Sequence, residues 1–141
     1  MADRILLFTA DVLRGKIIKK VLNRNGLECG VYNHMLAAGD IIAKHAPAVV
    51  IFDTQGCFQE EINHLRSICQ TLKHTNTMVL GEDCVIDRFK GPRIRKTLCL
   101  PDPLDPVLIA TKAKEILLRK KKLFAGNDSL EKTLKSLLNI K

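Results

Sequence analysis

"PAVVIFDTQG", residues 47–56, decides the fold. Five apolar residues in a row, Ala48 to Phe52, follow a proline and end at Asp53, after which Thr54-Gln55-Gly56 make a small polar turn. A strand apolar on both sides belongs in the middle of a parallel sheet, where helices cover both faces. Such a sheet needs a helix between each strand and the next, so the flanking sequence should alternate.

It does. Before the central strand, "RILLFTA" (4–10) is a short apolar strand, and "VLRGKIIKKVLNRNG" places Val12, Leu13, Ile17, Ile18, Val21 and Leu22 at helical spacing. Asn25-Gly26 stops that helix, "LECGVY" (27–32) is extended, and "MLAAGDIIAKHA" is a helix closed by Pro47. After the central strand, "FQEEINHLRSICQTLK" carries Phe58, Ile62, Leu65, Ile68, Cys69 and Leu72 on one side, and "NTMVLG" (76–81) is the next strand. "EDCVIDRFKGPRIRK" is broken by Gly91-Pro92, "TLCL" is a fifth strand, and Pro106 opens the helix "VLIATKAKEILLRKKK". The expected architecture is α/β: a doubly wound five-stranded parallel sheet of the flavodoxin-like kind, with right-handed crossovers. "AGNDSLEKTLKSLLNIK" adds a C-terminal amphipathic helix, with Asp128 and Glu131 at capping-box spacing and Leu130, Leu134, Leu137 and Leu138 on one stripe. The expected division is one domain over residues 1–122 and an amphipathic helix, or the start of a linker, over 123–141.

The totals set bounds. At 141 residues one core is expected, and 46% hydrophobic with 27% charged residues excludes a disordered chain. No apolar run is long enough to cross a bilayer, and the N-terminus lacks the apolar stretch of a signal peptide, so the expected location is cytoplasmic. The five cysteines form no C-x-x-C pair and are expected to be small buried hydrophobes. The four histidines fall at no metal spacing and are expected at the surface. The net charge of +8 is uneven: residues 119–141 hold seven basic and two acidic residues. That tail suggests an anionic partner, whether an acidic protein surface, nucleic acid or lipid head groups, and the cluster Arg88, Lys90, Arg93, Arg95 and Lys96 suits an acidic partner. With no Trp and one Tyr, stacking recognition of single-stranded nucleic acid has little support. No P-loop and no G-x-G-x-x-G is present, and no catalytic constellation stands out, so an enzyme is not expected.

In an open parallel sheet the site lies outside the carboxyl ends of the strands. Asp53 stands there, with Thr9, Ala10 and Asp11 after the first strand, Gly81, Glu82 and Asp83 after the fourth, and Asp102 after the fifth. With "RILLFTAD", "PAVVIFDTQG", "TMVLGED" and "LPDPLDPVLIATKAKEILL", the chain over roughly 4–122 resembles the receiver domain of two-component response regulators. The resemblance implies that Asp53 is the phosphoacceptor, fed by a histidine kinase or phosphotransfer protein. It also implies two acidic residues for magnesium after the first strand, a hydroxyl after the fourth, and a lysine before a cis proline after the fifth.

Here the sequence departs from the family. Thr9 and Ala10 stand where the acidic pair should be, with Asp11 just beyond; Gly81 replaces the hydroxyl residue; Asp102, before Pro103, replaces the lysine; Cys99 replaces the aromatic residue three places earlier. Phosphoryl transfer needs cations on the phosphate oxygens, and a phosphate on Asp53 would face the carboxylate of Asp102 with little to neutralise either. The expectation is a degenerate pseudo-receiver: a signalling module acting by protein–protein contact with an output or signalling protein, without a cofactor and without phosphorylation. Arg88, Lys90, Arg93, Arg95, Lys96 and Cys99 would lie on the partner face, which could also support a homodimer. Two alternatives stand beside it. One is a working receiver that takes phosphate on Asp53 and holds Mg2+ through Asp11 and Asp53, with Glu82 or Asp83. The other is a basic nucleic-acid-binding protein, whose affinity would fall steeply with salt. Asp11 and Asp53 also have plainer readings, as a helix cap and as a strand-end carboxylate holding backbone hydrogen bonds.

Overall fold

A computed structural model describes residues 4–72, 75–90 and 97–119. Five strands alternate with helices along the chain: β1 (Arg4–Thr9), α1 (Val12–Arg24), β2 (Glu28–Tyr32), a 3-10 turn (Met35–Ala37) leading into α2 (Ala38–His45), β3 (Val49–Asp53), α3 (Gln59–Thr71), β4 (Asn76–Gly81), α4 (Asp83–Ile86) and β5 (Thr97–Pro101). A last helix, α5, runs through described residues 106–119. All pairings are parallel, in the order β2-β1-β3-β4-β5. This is the doubly wound flavodoxin-like architecture that the alternation predicts. The reading of 123–141 as an amphipathic helix falls outside the described residues.

β3 is central and completely buried, as its apolar run requires. Alternation along the strands divides the core in two. Leu6, Phe8, Val50, Phe52 and Val79 pack under α2, α3 and α4, whereas Ile5, Leu7, Val49, Ile51 and Met78 pack under α1 and α5. Asp53 continues the Val49, Ile51 series and Thr9 the Ile5, Leu7 series, so both side chains point to the α1 and α5 side. The register pairs Thr9 with Asp53 directly, which sets the two side by side.

Helix α1 differs from its expected orientation. Six apolar positions were candidates for its inner face, but Gly15, Ile18 and Leu22 are the buried ones, while Val12 and Leu13 are two-thirds exposed and Ile17 is 39% exposed. The reason is a close approach: a Cβ on Gly15 would stand 2.9 Å from the Thr9 Cγ2 and 3.2 Å from the Val31 Cγ1. Bringing Gly15 against β1 rolls Leu13 outward and places Arg14, four residues before the buried Ile18, on the stripe that faces the sheet.

Two further expectations are corrected. Cys29 and Cys69 are buried, but Cys57 and Cys99 are half-buried and Cys84 is exposed. His34 is exposed, whereas His45 is half-buried between Arg4 Nη1 at 3.0 Å and the Tyr32 hydroxyl at 3.3 Å, and His64 is half-buried; His74 lies outside the described residues. Among the described residues no helix is long and apolar enough to cross a membrane.

Candidate functional site

The carboxyl ends of β1, β3, β4 and β5 bring the anticipated residues together at one edge of the sheet. Asp53, the last residue of β3, is fully buried. An isolated carboxylate in that position would cost several kcal/mol, so partners must accompany it. They do. Arg14 lays its guanidinium along the carboxylate, donating from Nε to Oδ2 at 2.8 Å and from Nη2 to Oδ1 at 3.0 Å. The Thr9 hydroxyl donates to Oδ2 at 2.8 Å, and the Gln55 backbone N–H donates to Oδ1 at 3.2 Å. Each carboxylate oxygen therefore accepts two hydrogen bonds.

Arg14 also reaches Asp102. The β-ladder continues one residue past β5 through a hydrogen bond from the Asp102 N–H to the Gly81 carbonyl at 2.8 Å, which fixes Asp102 beside the pocket. Its Oδ1 then accepts from Arg14 Nη2 at 3.3 Å. The Asp102–Pro103 peptide is cis. One arginine thus binds both carboxylates, a cation that reasoning from the sequence did not place beside Asp53 and Asp102. Burial pulls the Arg14 pKa down, but the hydrogen bond and charge of Asp53, followed by the charge and hydrogen bond of Asp102, raise it overall. Arg14 stays a cation at every accessible pH.

Nearby positions are similarly occupied. Asp11 accepts from the Arg14 backbone N–H at 3.1 Å and so caps α1, while its own N–H donates to the Thr9 hydroxyl oxygen at 3.1 Å. Ala10 is exposed and carries no polar side chain. Gly81 has φ +152, and a Cβ there would collide with the Thr54 Oγ1. That hydroxyl donates to the Leu80 carbonyl at 2.7 Å. The space that a side chain at position 81 would enter is therefore filled by that of Thr54, turned back onto the strand. On the far side of Asp102, the recess between Leu80, Pro103 and Leu104 has a volume of about 20 Å³, room for about one water. Among the described residues, no three of the Asp, Glu, His and Cys side chains stand close enough to hold a metal ion.

The anticipated partner face is described only in part, since Arg93, Arg95 and Lys96 lie outside the described residues. Arg88 Nη2 donates to Asn63 Oδ1 at 2.6 Å, Lys90 pairs with Asp87 at 3.2 Å, and Cys99 packs half-buried against the α2, α3 and α4 side of the core.

Arg14 is the residue that reasoning from the sequence missed. Its signal was present: an arginine between Leu13 and Gly15, on the stripe shared with Ile18, one turn after a strand that ends beside an aspartate.

No family model matches the chain, and neither does any curated protein. Solved structures do. The signal receiver domain of a LuxO repressor protein from Vibrio parahaemolyticus superposes with a TM-score of 0.69 at 15% identity, over 86% of this chain and 94% of that one. The chain has the receiver fold. A receiver domain from Bermanella marisrubri gives 0.68 at 16% identity, over 83% and 99% of the two chains, and a response regulator from Thermotoga maritima gives 0.65 at 14%, over 82% and 98%. At these identities the likeness concerns the fold.

Proposed function

We infer that this chain is a signal-transduction module of the response-regulator receiver kind that works by protein–protein contact and not by aspartyl phosphorylation. The observation that carries this reading is the Arg14 fork on Asp53. A phosphoacceptor must offer a free carboxylate oxygen as nucleophile, with a divalent cation beside it to bind the incoming phosphoryl oxygens. Both oxygens of Asp53 are occupied, and the cation in place is one covalently attached to the neighbouring helix. Arg14 supplies the positive charge and the link from β3 to β5 that a phosphoryl group, magnesium and a lysine would otherwise supply together. In this reading the module is not an enzyme, needs no cofactor, and acts in the cytoplasm, with a histidine kinase, a phosphotransfer protein or an output protein as the class of partner.

An amide NMR titration with Mg2+ and then beryllofluoride, which imitates an aspartyl phosphate, tests the reading. The expected result is no shift around Asp53, Gly81 and Asp102. Large shifts there, abolished by Asp53→Asn, would replace it with the phosphoacceptor reading.

A further inference from the structure

Helix α1 carries no acidic side chain: over Val12–Arg24 its charged residues are Arg14, Lys16, Lys19, Lys20 and Arg24. Arg14 is turned inward to Asp53 and Asp102, and none of the other four forms an ion pair among the described residues. Lys16, Lys20 and Arg24 stand four residues apart, one above the other on the outer side of the helix. Like charges at that spacing repel and weaken a helix, so the free molecule keeps an arrangement that an anionic surface would relieve. Beside them Leu13 is 67% and Ile17 39% exposed, which gives the same face an apolar half towards the start of the helix.

A surface of matching kind is present on the same chain. Between the 3-10 turn and α3, Leu36, Asp40 and Glu61 line an open recess of about 430 Å³ whose walls hold no Lys or Arg. Phe58, whose N–H donates to Glu61 Oε1 at 2.8 Å, is 77% exposed, and Leu36 is 60% exposed. Asp40, Glu60 and Glu61 form no ion pair among the described residues. The recess has the composition of the α1 face with the sign of the charge reversed. The two surfaces cannot meet within one molecule, because α1 packs on one side of the sheet while α2 and α3 pack on the other.

We propose that this chain associates head to tail with further copies of itself, the outer face of α1 in one copy seated on the recess between the 3-10 turn and α3 of the next. Lys16 and Lys20 then meet Asp40 and Glu61, and Leu13 and Ile17 meet Leu36 and Phe58, so that charge and apolar area are complementary together. The contact is heterologous. Since the two surfaces lie on opposite sides of the sheet, a copy that has used its α1 still offers its recess, and association continues instead of closing on a pair. The net charge of +8 opposes approach at long range. At about 0.1 M salt, screening over about 10 Å weakens that repulsion between whole molecules and leaves side chains in contact most of their attraction.

Sedimentation velocity of the full chain, over a concentration range from about 5 to about 300 µM, reads the assembly. The expected result in about 0.1 M salt is an average mass that rises past two copies with concentration, and that falls back towards one copy in about 1 M salt, where the screening length is about 3 Å. Lys16→Ala/Lys20→Ala, which spoils the helix face, should stay monomeric alone. So should Asp40→Asn/Glu61→Gln, which spoils the recess and keeps an oxygen for the Phe58 N–H. An equal mixture of the two variants should form a complex of two copies and nothing larger, because one contributes only a recess and the other only a helix face; the same complex shows that both are folded. A wild-type mass that levels at two copies, association that survives in either variant alone, a mixture that stays monomeric, or a wild-type chain that stays monomeric throughout would each overturn the proposal. Asp53 takes no part in the readout, so this test and the beryllofluoride titration can fail separately.

Discussion

Replacing Arg14 with leucine should be among the most damaging single changes outside the apolar core. The substitution removes the two bonds of 2.8 and 3.0 Å to Asp53 and leaves a completely buried carboxylate with the Thr9 hydroxyl and the Gln55 N–H alone. Breaking a buried ion pair from one side costs roughly 3–5 kcal/mol. The Arg14 side chain is 16% exposed, so water relieves part of the cost and about 3 kcal/mol is expected. For a domain of this size that corresponds to a fall in Tm of roughly 10 °C. With a urea m-value of about 2 kcal/mol/M, the midpoint falls by about 1.5 M. The decisive comparison is Arg14→Leu/Asp53→Leu, which removes both charges and restores apolar contact, and should be more stable than Arg14→Leu by about 2 kcal/mol. Urea unfolding followed by circular dichroism at low and high salt supplies the cycle, and the coupling should persist in salt because the pair is buried. A loss below about 1 kcal/mol for Arg14→Leu, or a double variant whose loss equals the sum of the single losses, would refute the account of Arg14 as the counter-ion of a buried charge.

Restoring a hydroxyl residue at position 81 should fail structurally: Gly81→Ser forces a side chain onto a positive-φ backbone and against Thr54, which must abandon its bond to the Leu80 carbonyl. Unfolding should show a loss of about 2 kcal/mol or more, partly recovered in a Thr54→Ala background, and an unchanged midpoint would contradict the close approach. Thiol alkylation of the native protein should label Cys84 first, because it is exposed, while burial pushes Cys29 up to about 11 and Cys69 up to about 12. These raised values also set a sign: the folded thiols keep their protons where the unfolded ones, near 9, lose them. Their contribution to stability is therefore complete below pH 9 and is lost as pH rises towards 11 and 12, which alkaline urea titrations check.

The strands were legible because each is an apolar run ended by a turn residue, a pattern set by local sequence and by burial on both faces. The carboxyl-edge site was legible for the same reason, since topology alone gathers the ends of β1, β3, β4 and β5. What escaped was whatever depends on how close two elements come. Apolar residues lie nearly all round α1, so hydrophobicity could not orient it; the contact of Gly15 with Thr9 and Val31 does, and it carries Arg14 to Asp53. The exposure of Cys84 and the seating of His45 between Arg4 and Tyr32 were hidden likewise, being properties of neighbours distant in the chain.

A counter-ion that belongs to the polypeptide cannot diffuse away, be hydrolysed or be withdrawn by a phosphatase. Arg14 is made with the protein and lasts as long as the protein does. In the reading proposed above, this ties the signal to abundance: what a partner senses is how many copies exist, set by synthesis and degradation, and its occupancy rises along an ordinary saturation curve. Information of that kind is erased by dilution and turnover over cell generations, on a clock far slower than the lifetime of an acyl phosphate.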